Sequence, residues 1–217
     1  MTDVNKMYTF LRGYFEGANM AESMKALMLA RKAHKNQTRK DGTPYVVHPL
    51  SMACYAIGLG IRDDNTMATI LLHDVSEDCD IPVDLLPTNS VVKNGVRHMT
   101  IRKFDTDTSK IETKRRYFKE LLDCPEALIG KAIDRYNNLS DMAESFTKDA
   151  MGKNCAETEV LLMPVLHDAK EEYPHLANFL YVLRINLKTM VDTLKTICPE
   201  EYSFWVNEYT QKNKETL

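Results

Sequence analysis

The chain has 217 residues, a length that fits one compact domain. Apolar residues make up 44% and charged residues 27%, which is typical of a globular protein and excludes a collagenous or disordered chain. The net charge of -3 gives no sign of a strongly basic nucleic-acid-binding surface.

Five cysteines are present, an odd number, and no two of them form a CxxC pair. A disulfide framework or a thiolate zinc site is therefore not expected, and packed, reduced thiols are the simpler interpretation. The first ten residues have no apolar signal core, and the longest apolar runs are too short to cross a bilayer. We expect a cytoplasmic protein without a membrane partner.

Helical periodicity dominates the first half of the chain. Apolar residues recur at three- and four-residue steps over 20–35, and Gly42 and Pro44 then favour a turn. Further helices are expected over about 47–59 and over about 66–78, the latter capped by Asp64 or Asn65. Pro82 suits the first turn of a short helix.

The second half is also helical. Residues 102–110 are polar and without periodicity, so we expect a mobile loop, and whether it closes over a substrate stays open. The expected elements that follow are helices over about 111–122, 125–145, 155–171 with a kink at Pro164, and 174–198, with a loop at 147–154. No segment alternates with period two. The sequence predicts an all-α fold in a single domain over 1–217, with the helices of 155–198 packed on the rest.

An apolar run is followed directly by four ionisable residues: His73, Asp74, Glu77 and Asp78. On one continuous helix, His73 would share a face with Glu77, and Asp74 would share one with Asp78. Burying several acids beside a core is costly without positive charge, which a divalent cation would supply. A solvated helix face is the alternative interpretation of this segment taken alone.

His48 and Asp134 also lie among apolar residues. Taken singly, a hydrogen-bonded core histidine and a salt-bridged aspartate are the commoner outcomes. Together with the 73–74 pair, however, they follow the order H…HD…D. In this order of residues the chain resembles HD phosphohydrolases. Mixed nitrogen and oxygen ligands suit Mn²⁺, Fe²⁺ or Zn²⁺ better than Ca²⁺ or Mg²⁺.

Longer motifs make the resemblance more specific. Residues 33–50 (AHKNQTRKDGTPYVVHPL) resemble the opening motif of the RelA/SpoT hydrolase domain, and 71–79 resemble its LLHDVVEDT segment. Residues 131–139 resemble KLADRLHNM, and Glu157 with the following Pro164 resembles ETLEIYAPLA. The match spans about residues 24–166.

This resemblance implies hydrolysis of the alarmone (p)ppGpp at its 3′-pyrophosphate, giving GDP or GTP and pyrophosphate, with Mn²⁺ as cofactor. It implies the following roles: metal ligands His48, His73, Asp74 and Asp134; the acidic pair Glu77 and Asp78, which activates water; and the nucleotide contacts Arg39, Lys40 and Asn138. Because the chain ends at Leu217, we expect hydrolysis without the synthesis performed by long members of the family.

Several positions depart from the family pattern. Asp141 stands where the family commonly has a nucleotide-contacting threonine, so we include it among the substrate-binding residues and leave the preferred nucleotide open. Cys79 replaces a threonine after the acidic pair. A second hypothesis keeps the metal site and changes the substrate, to (p)ppApp, NADPH or another nucleotide. A third, less favoured, is an inactive nucleotide-binding module. The expected partner is a small nucleotide, without nucleic acid, and the oligomeric state stays open.

Overall fold

The computed structural model describes residues 3–39, 42–100 and 109–211, and most of these residues are helical. Within these ranges there is no strand, only an isolated antiparallel bridge between Thr38 and Pro44. The all-α prediction is confirmed. Among the described residues, no helix is long and apolar enough to cross a membrane.

The chain divides into two compact units. The first comprises Met1–Thr100 and Asp123–Asp134, and the second comprises Ile101–Leu122 and Arg135–Leu217. The single domain over 1–217 stays a prediction.

The first unit is built around one buried helix. Its helices are α1 Val4–Gly17, α2 Ala21–Ala33, α3 Val47–Gly58, α4 Asp64–Leu72, α5 Val75–Asp78, α6 Ser90–Met99 and α8 Pro125–Ser145 as far as Asp134, with a 3-10 turn at Val83–Leu85. Helix α4 packs against α2, α3 and α6, and every residue from Thr66 to Leu72 is buried. The core of this unit therefore surrounds α4.

Polar contacts fix the N-terminal ends of α2 and α4. The Asp63 carboxylate accepts from the backbone N–H of Thr66 at 2.7 Å and caps α4. The Asp64 carboxylate accepts from the backbone N–H groups of Glu22 and Ser23 at 3.0 and 2.8 Å. Since these N–H groups belong to the first turn of α2, α4 supplies the cap that α2 lacks in its own sequence.

The second unit contains the C-terminal helices. They are α7 Lys110–Glu120, the rest of α8, α9 Lys148–Glu157, α10 Met163–Glu172, α11 Ala177–Leu194 and α12 Pro199–Thr210, with a π-helical stretch at Thr158–Leu162 and a 3-10 turn at Pro174–Leu176. Helix α9 packs against α11 and α12, and α10 packs against α11. The buried face of α11 is an apolar stripe formed by Leu180, Leu183, Leu187, Val191 and Leu194.

Several predicted elements need correction. The helix expected over 66–78 is interrupted at His73–Asp74. The prediction of a loop at 147–154 is wrong, because α9 covers most of this segment. The helix buries Met151 and Cys155. At 155–171 the helix widens into the π-helical stretch before Pro164, whose ring nitrogen has no hydrogen to donate. The helix expected at 174–198 ends at Leu194.

Other elements were not predicted or lie outside the described ranges. Helices α1, α6 and α12 were not predicted; α1 buries only Leu11 and Phe15, a short apolar signal. Most of the loop expected at 102–110 lies outside the described residues, and Lys110 already belongs to α7.

A buried ionic cluster joins the helices of the second unit. The Arg135 guanidinium donates to Glu157 Oε1 at 2.5 Å and to Asn154 Oδ1 at 2.5 Å. Lys114 also pairs with the Glu157 carboxylate, and the Tyr209 hydroxyl donates to it at 3.0 Å. Burial alone would raise the pKa of Glu157, but the charges of Arg135 and Lys114 and their hydrogen bonds lower it to about 2.

This lowered pKa predicts an acid-labile contribution to stability. Because the pKa of Glu157 lies below its ordinary value, the ion cluster stabilises the fold fully above about pH 4.5 and loses that effect as pH falls towards about 2. Glu157→Gln should therefore lose less unfolding free energy than the wild type between about pH 5 and pH 3. Denaturant titrations at both pH values measure this, with the exposed Glu16→Gln as control, and equal losses in wild type and Glu157→Gln would contradict it.

A second stability prediction concerns the contact of α6 with α4. A Cβ atom added at Gly95 would lie 2.5 Å from Thr69 Oγ1 and 2.8 Å from Thr69 Cγ2, and Thr69 is fully buried. Gly95→Ala should lower the free energy of unfolding by roughly 1–3 kcal/mol, because the core has no room for the methyl group. The control is Gly13→Ala on α1, where a Cβ meets nothing within 4 Å and about 0.5–1 kcal/mol of stabilisation is expected. Thermal unfolding of both variants checks the prediction, and it is wrong if the two shift alike.

Candidate metal centre

The end of α4 determines where His73 and Asp74 lie. Both residues follow the fully buried segment Thr66–Leu72, and the helical hydrogen bonding is interrupted there before α5 begins at Val75. The interruption leaves His73 buried and Asp74 half-buried. The adjacent pair is thus held by a rigid backbone rather than by a loop, which favours precise placement of two ligands.

Two further side chains come from other helices of the first unit. His48 lies in the first turn of α3 and is 4% exposed, and Asp134 lies on α8 and is 5% exposed. Gly130, one turn before Asp134, faces Ile70 of α4 and Met99 of α6. A Cβ atom at Gly130 would lie 2.6 Å from Met99 Sδ, so a residue without a side chain lets α8 pass close to α6.

These side chains converge on one point. His73 Nε2 lies 3.0 Å from Asp74 Oδ2, and His48 Nε2 lies 3.3 Å from Asp134 Oδ1. The crossed distances are also short, at 3.8 Å from His48 Nε2 to Asp74 Oδ2 and 3.9 Å from His73 Nε2 to Asp134 Oδ1. The nearest ligand atoms of His48, His73 and Asp74 all lie within 4.8 Å of one another.

Each of three ligands is oriented by a neighbour. His73 Nδ1 lies 2.8 Å from the carbonyl oxygen of Ile70, which can only accept, so this nitrogen carries a proton, and in the neutral ring Nε2 presents a lone pair. The Tyr45 hydroxyl donates to Asp74 Oδ2 at 2.6 Å. Lys131 Nζ donates to Asp134 Oδ2 at 2.8 Å. Partners of this kind hold metal ligands in their binding orientation.

Sequence reasoning did not single out Tyr45 or Lys131 as parts of the site. Each lies three residues before a predicted ligand, Tyr45 before His48 and Lys131 before Asp134. For Lys131 the spacing on α8 was the usable signal, because residues three apart share a helix face. Tyr45 contacts Asp74, which is distant in the sequence, so no local pattern indicated it.

The cluster attracts positive charge. Burial lowers the pKa of His73, but the Asp74 carboxylate, then Asp134 and the hydrogen bonds, outweigh it and raise the pKa to about 9. Burial raises the pKa of Asp134, but Lys131 and the two imidazoles bring it well below its ordinary value. Asp74 likewise keeps a lowered pKa against burial, mainly because of His73. Two ionised carboxylates therefore face two imidazoles in a buried space.

A divalent metal ion fits this donor set. His73 Nε2 is buried and faces the carboxylate oxygens of Asp74 and Asp134, at 3.0 and 3.9 Å. Burying two carboxylates is costly without positive charge, which a metal ion supplies. His48, His73, Asp74 and Asp134 would supply two nitrogen and two oxygen ligands, which suits Mn²⁺, Fe²⁺ or Zn²⁺.

The predicted acidic pair lies on α5, one turn after Asp74. Both Glu77 and Asp78 are exposed to solvent. The Asp78 N–H donates to the Asp74 carbonyl at 2.9 Å, so the predicted four-residue spacing is kept despite the break in the helix. Partial burial and the charge of Asp74 raise the pKa of Glu77, opposed by Lys131. Glu77 is thus a stronger base than an ordinary surface carboxylate, and it lies close enough to the cluster for the charge of Asp74 to affect it.

The predicted nucleotide contacts are placed as follows. Arg39 is half-buried in a tight loop, where its N–H donates to the Thr43 carbonyl at 2.7 Å. Lys40 lies outside the described residues. Asn138 and Asp141 are half-buried on α8, in the second unit. The roles of all four residues stay predictions.

The chain is similar to known proteins over much of its length. The sequence profile described as "HD domain" matches residues 26–159. The bifunctional (p)ppGpp synthase/hydrolase SpoT of Escherichia coli is 30% identical over 148 residues, covering 65% of this chain and 21% of the relative. A guanosine-3′,5′-bis(diphosphate) 3′-pyrophosphohydrolase of Vibrio cholerae is 30% identical over 146 residues, covering 64% of this chain and 20% of the relative.

Relatives named as pyrophosphokinases also match. A GTP pyrophosphokinase of Streptomyces antibioticus is 29% identical over 157 residues, covering 70% of this chain and 18% of the relative. The chain therefore spans about a fifth of the length of these curated relatives. A solved structure described as a metazoan ortholog of SpoT that hydrolyses ppGpp shares the fold, with a TM-score of 0.51 and 23% identity over 82% of this chain and 95% of that one.

The geometry predicts that metal binding depends on Asp74. Asp74→Asn keeps the shape of the side chain but removes its charge, so the affinity for Mn²⁺ should fall by at least roughly a hundredfold. The matched control is Asp80→Asn, which makes the same change at an exposed residue with a φ of 54°, a conformation that asparagine tolerates. Calorimetric titration with Mn²⁺ measures both affinities, and equal affinities would remove Asp74 from the site.

Proposed function

This chain belongs to the HD domain family, and we propose that it is a metal-dependent hydrolase of (p)ppGpp that releases the 3′-pyrophosphate as pyrophosphate and leaves GDP or GTP. The observation that carries the proposal is the convergence of four side chains, in which the Nε2 atoms of two imidazoles face two carboxylates at 3.0 to 3.9 Å: His48, His73, Asp74 and Asp134. The prediction of a RelA/SpoT-type HD domain, confirmed by the family match and the relatives, supports the choice of substrate.

The four clustered side chains are proposed to hold Mn²⁺. When bound, the metal ion supplies positive charge to a phosphoryl oxygen and makes water more acidic. The chain contributes the orientation of its ligands. The Tyr45 hydroxyl fixes Asp74, Lys131 fixes Asp134, and the Ile70 carbonyl fixes the tautomer of His73. Because these contacts fix the orientation of the side chains, little reorganisation is needed on binding.

Glu77 and Asp78 are proposed to take the proton from the attacking water. Glu77 suits this role because its raised pKa makes it a stronger base than an ordinary surface carboxylate. The water oxygen forms a bond to the phosphorus attached to the 3′ oxygen, and the bond between that oxygen and phosphorus breaks. The 3′ oxygen leaves with the electron pair and takes up a proton, so pyrophosphate and the 3′-hydroxyl nucleotide are the products.

Substrate recognition is proposed to involve Arg39, Lys40, Asn138 and Asp141. A guanidinium stacks on a purine ring while attracting phosphate, which suits Arg39. Lys40 adds a second positive charge next to it, and a cationic loop favours a substrate with several phosphates. We further propose that the protein acts in the cytoplasm on a small nucleotide and binds no nucleic acid.

Asp141 motivates a second candidate. A carboxylate accepts hydrogen bonds and repels phosphate, whereas a threonine hydroxyl both donates and accepts. An acid at this position would change which base or sugar is favoured. Hydrolysis of another nucleotide, such as (p)ppApp or NADPH, is therefore the alternative. An inactive nucleotide-binding module is disfavoured because all four proposed ligands and both acids are present.

The decisive experiment is an assay of ppGpp with the purified protein and Mn²⁺, following GDP and pyrophosphate. We expect turnover that chelation abolishes, and a loss of roughly a thousandfold or more in Asp74→Ala, because the metal site loses its charge. Glu77→Gln should keep its metal affinity and lose roughly 10²–10⁴-fold in kcat.

A panel of nucleotides in the same assay separates the alternatives. Faster turnover of (p)ppApp or NADPH than of ppGpp would replace the substrate and retain the reaction class. If protein shown to contain stoichiometric metal turns over no nucleotide, the hypothesis of an inactive nucleotide-binding module is the one that remains.

A further inference from the structure

The acidic pair lies on an element that has little stability of its own. Helix α5 is a single turn, Val75–Asp78, in which the Asp78 N–H donates to the Asp74 carbonyl and the Cys79 N–H donates to the Val75 carbonyl. A helix of one turn is unstable in isolation, and the last carbonyls of any helix lack intrahelical partners. Something outside α5 must hold Glu77 and Asp78 in place.

Gln37 supplies such a contact. Its side-chain Nε2 donates to the Asp78 carbonyl at 2.6 Å and lies 3.6 Å from Cys79 Sγ. Gln37 comes from a segment 41 positions earlier in the chain, directly after α2. Its amide satisfies a carbonyl at the C-terminal end of α5 that the helix itself leaves open.

His34 in turn orients Gln37. Because the Asp78 carbonyl only accepts, the amide nitrogen of Gln37 must face it, and Oε1 must face His34 Nδ1, at 2.6 Å. His34 Nδ1 therefore carries the proton, since Oε1 also only accepts. The ring is buried, so this orientation has little freedom to change.

The same histidine connects to the other end of α5. The rings of His34 and Tyr45 lie with centroids 4.8 Å apart, and the Tyr45 hydroxyl donates to Asp74 Oδ2. The Tyr45 N–H also donates to the Gln37 carbonyl at 2.9 Å and closes the base of the loop that carries Arg39. The segment from His34 to Tyr45 thus contacts α5 on both sides, at Asp74 and at Asp78.

We propose that Gln37 is a positioning residue, which holds the Glu77–Asp78 turn in register with Asp74 through its bond to the Asp78 carbonyl. The inference rests on the proposed function, because it gives Gln37 a role only through that acidic pair. In the described part of the chain, Gln37 bonds to His34, Asp78, Cys79 and Tyr45 and to none of the proposed metal ligands, so its loss should slow the reaction without releasing metal.

Two variants remove the donated bond in different ways. Gln37→Glu keeps the size of the side chain but presents an acceptor to the Asp78 carbonyl, and Gln37→Leu removes the polar group without adding charge. In both, the amides of Asp78 and Cys79 should exchange hydrogen at least about tenfold faster than in the wild type. The matched control is Gln211→Glu, at the other glutamine of the chain, which is exposed.

Kinetics with the full chain and Mn²⁺ give the functional readout. We expect kcat for ppGpp to fall roughly 10–100-fold in both Gln37 variants, with KM, Mn²⁺ affinity and the melting temperature close to those of the wild type. A general structural defect would instead lower the melting temperature and weaken metal binding, which would overturn the proposal.

Three other results would overturn it. Unchanged exchange at Asp78 and Cys79 would do so, as would faster exchange with unchanged kcat. A loss of activity in Gln37→Glu but not in Gln37→Leu would show an effect of added charge alone. Failure of the wild type to turn over any nucleotide is a separate outcome, which refutes the proposed function while the exchange rates still decide whether Gln37 holds the turn.

Discussion

Burial of α4 on every side is the constraint on which the candidate site depends. A helix with no solvent face has little freedom to rotate or slide, because any shift would move Thr66–Leu72 out of close packing. The residues that follow it are therefore delivered to a fixed point. His73 is buried in the core, whereas Asp74 is half-buried. This change in burial places one imidazole and one carboxylate side by side at the edge of the core.

The cost of that placement is electrostatic. Two carboxylates buried near each other repel, and each would be protonated if burial acted alone. Lys131 and the two imidazoles keep Asp134 ionised, and His73 does the same for Asp74. Since the same negative charge raises the pKa of His73 to about 9, the cluster favours a bound cation in the space between the side chains. A proton meets that demand with one charge, and a divalent metal meets it with two.

Local sequence patterns were sufficient for the buried helices and insufficient for the contacts between them. The apolar stripe of α11 and the helix at 20–35 were predictable because one periodic face meets the core. Helix α9 was not, because its buried residues are mostly small or polar and give only a weak apolar pattern. The interruption at His73–Asp74 was also missed, since the pattern of 66–78 continues through it unchanged.

The candidate site shows the same division. The order of the ligands came from resemblance to a family, and no periodicity would have joined His48 to Asp134. The supporting side chains Tyr45 and Gln37 were found only in the structure, because each acts on a residue far away in the sequence. Their roles depend on where α2, α3 and α5 meet, which sequence spacing does not encode.

Helix α8 carries a further constraint, because its neighbouring residues serve two different buried clusters. Asp134 belongs to the first unit and pairs with His48 and Lys131, while Arg135 belongs to the second and pairs with Glu157 and Asn154. Successive residues of a helix project about 100° apart, so a shift of one position would remove a charge from both clusters at once. Each cluster would then keep an unpaired buried charge, which is strongly destabilising. The register of α8 is thus fixed within each unit by a residue of its own, Asp134 in the first and Arg135 in the second.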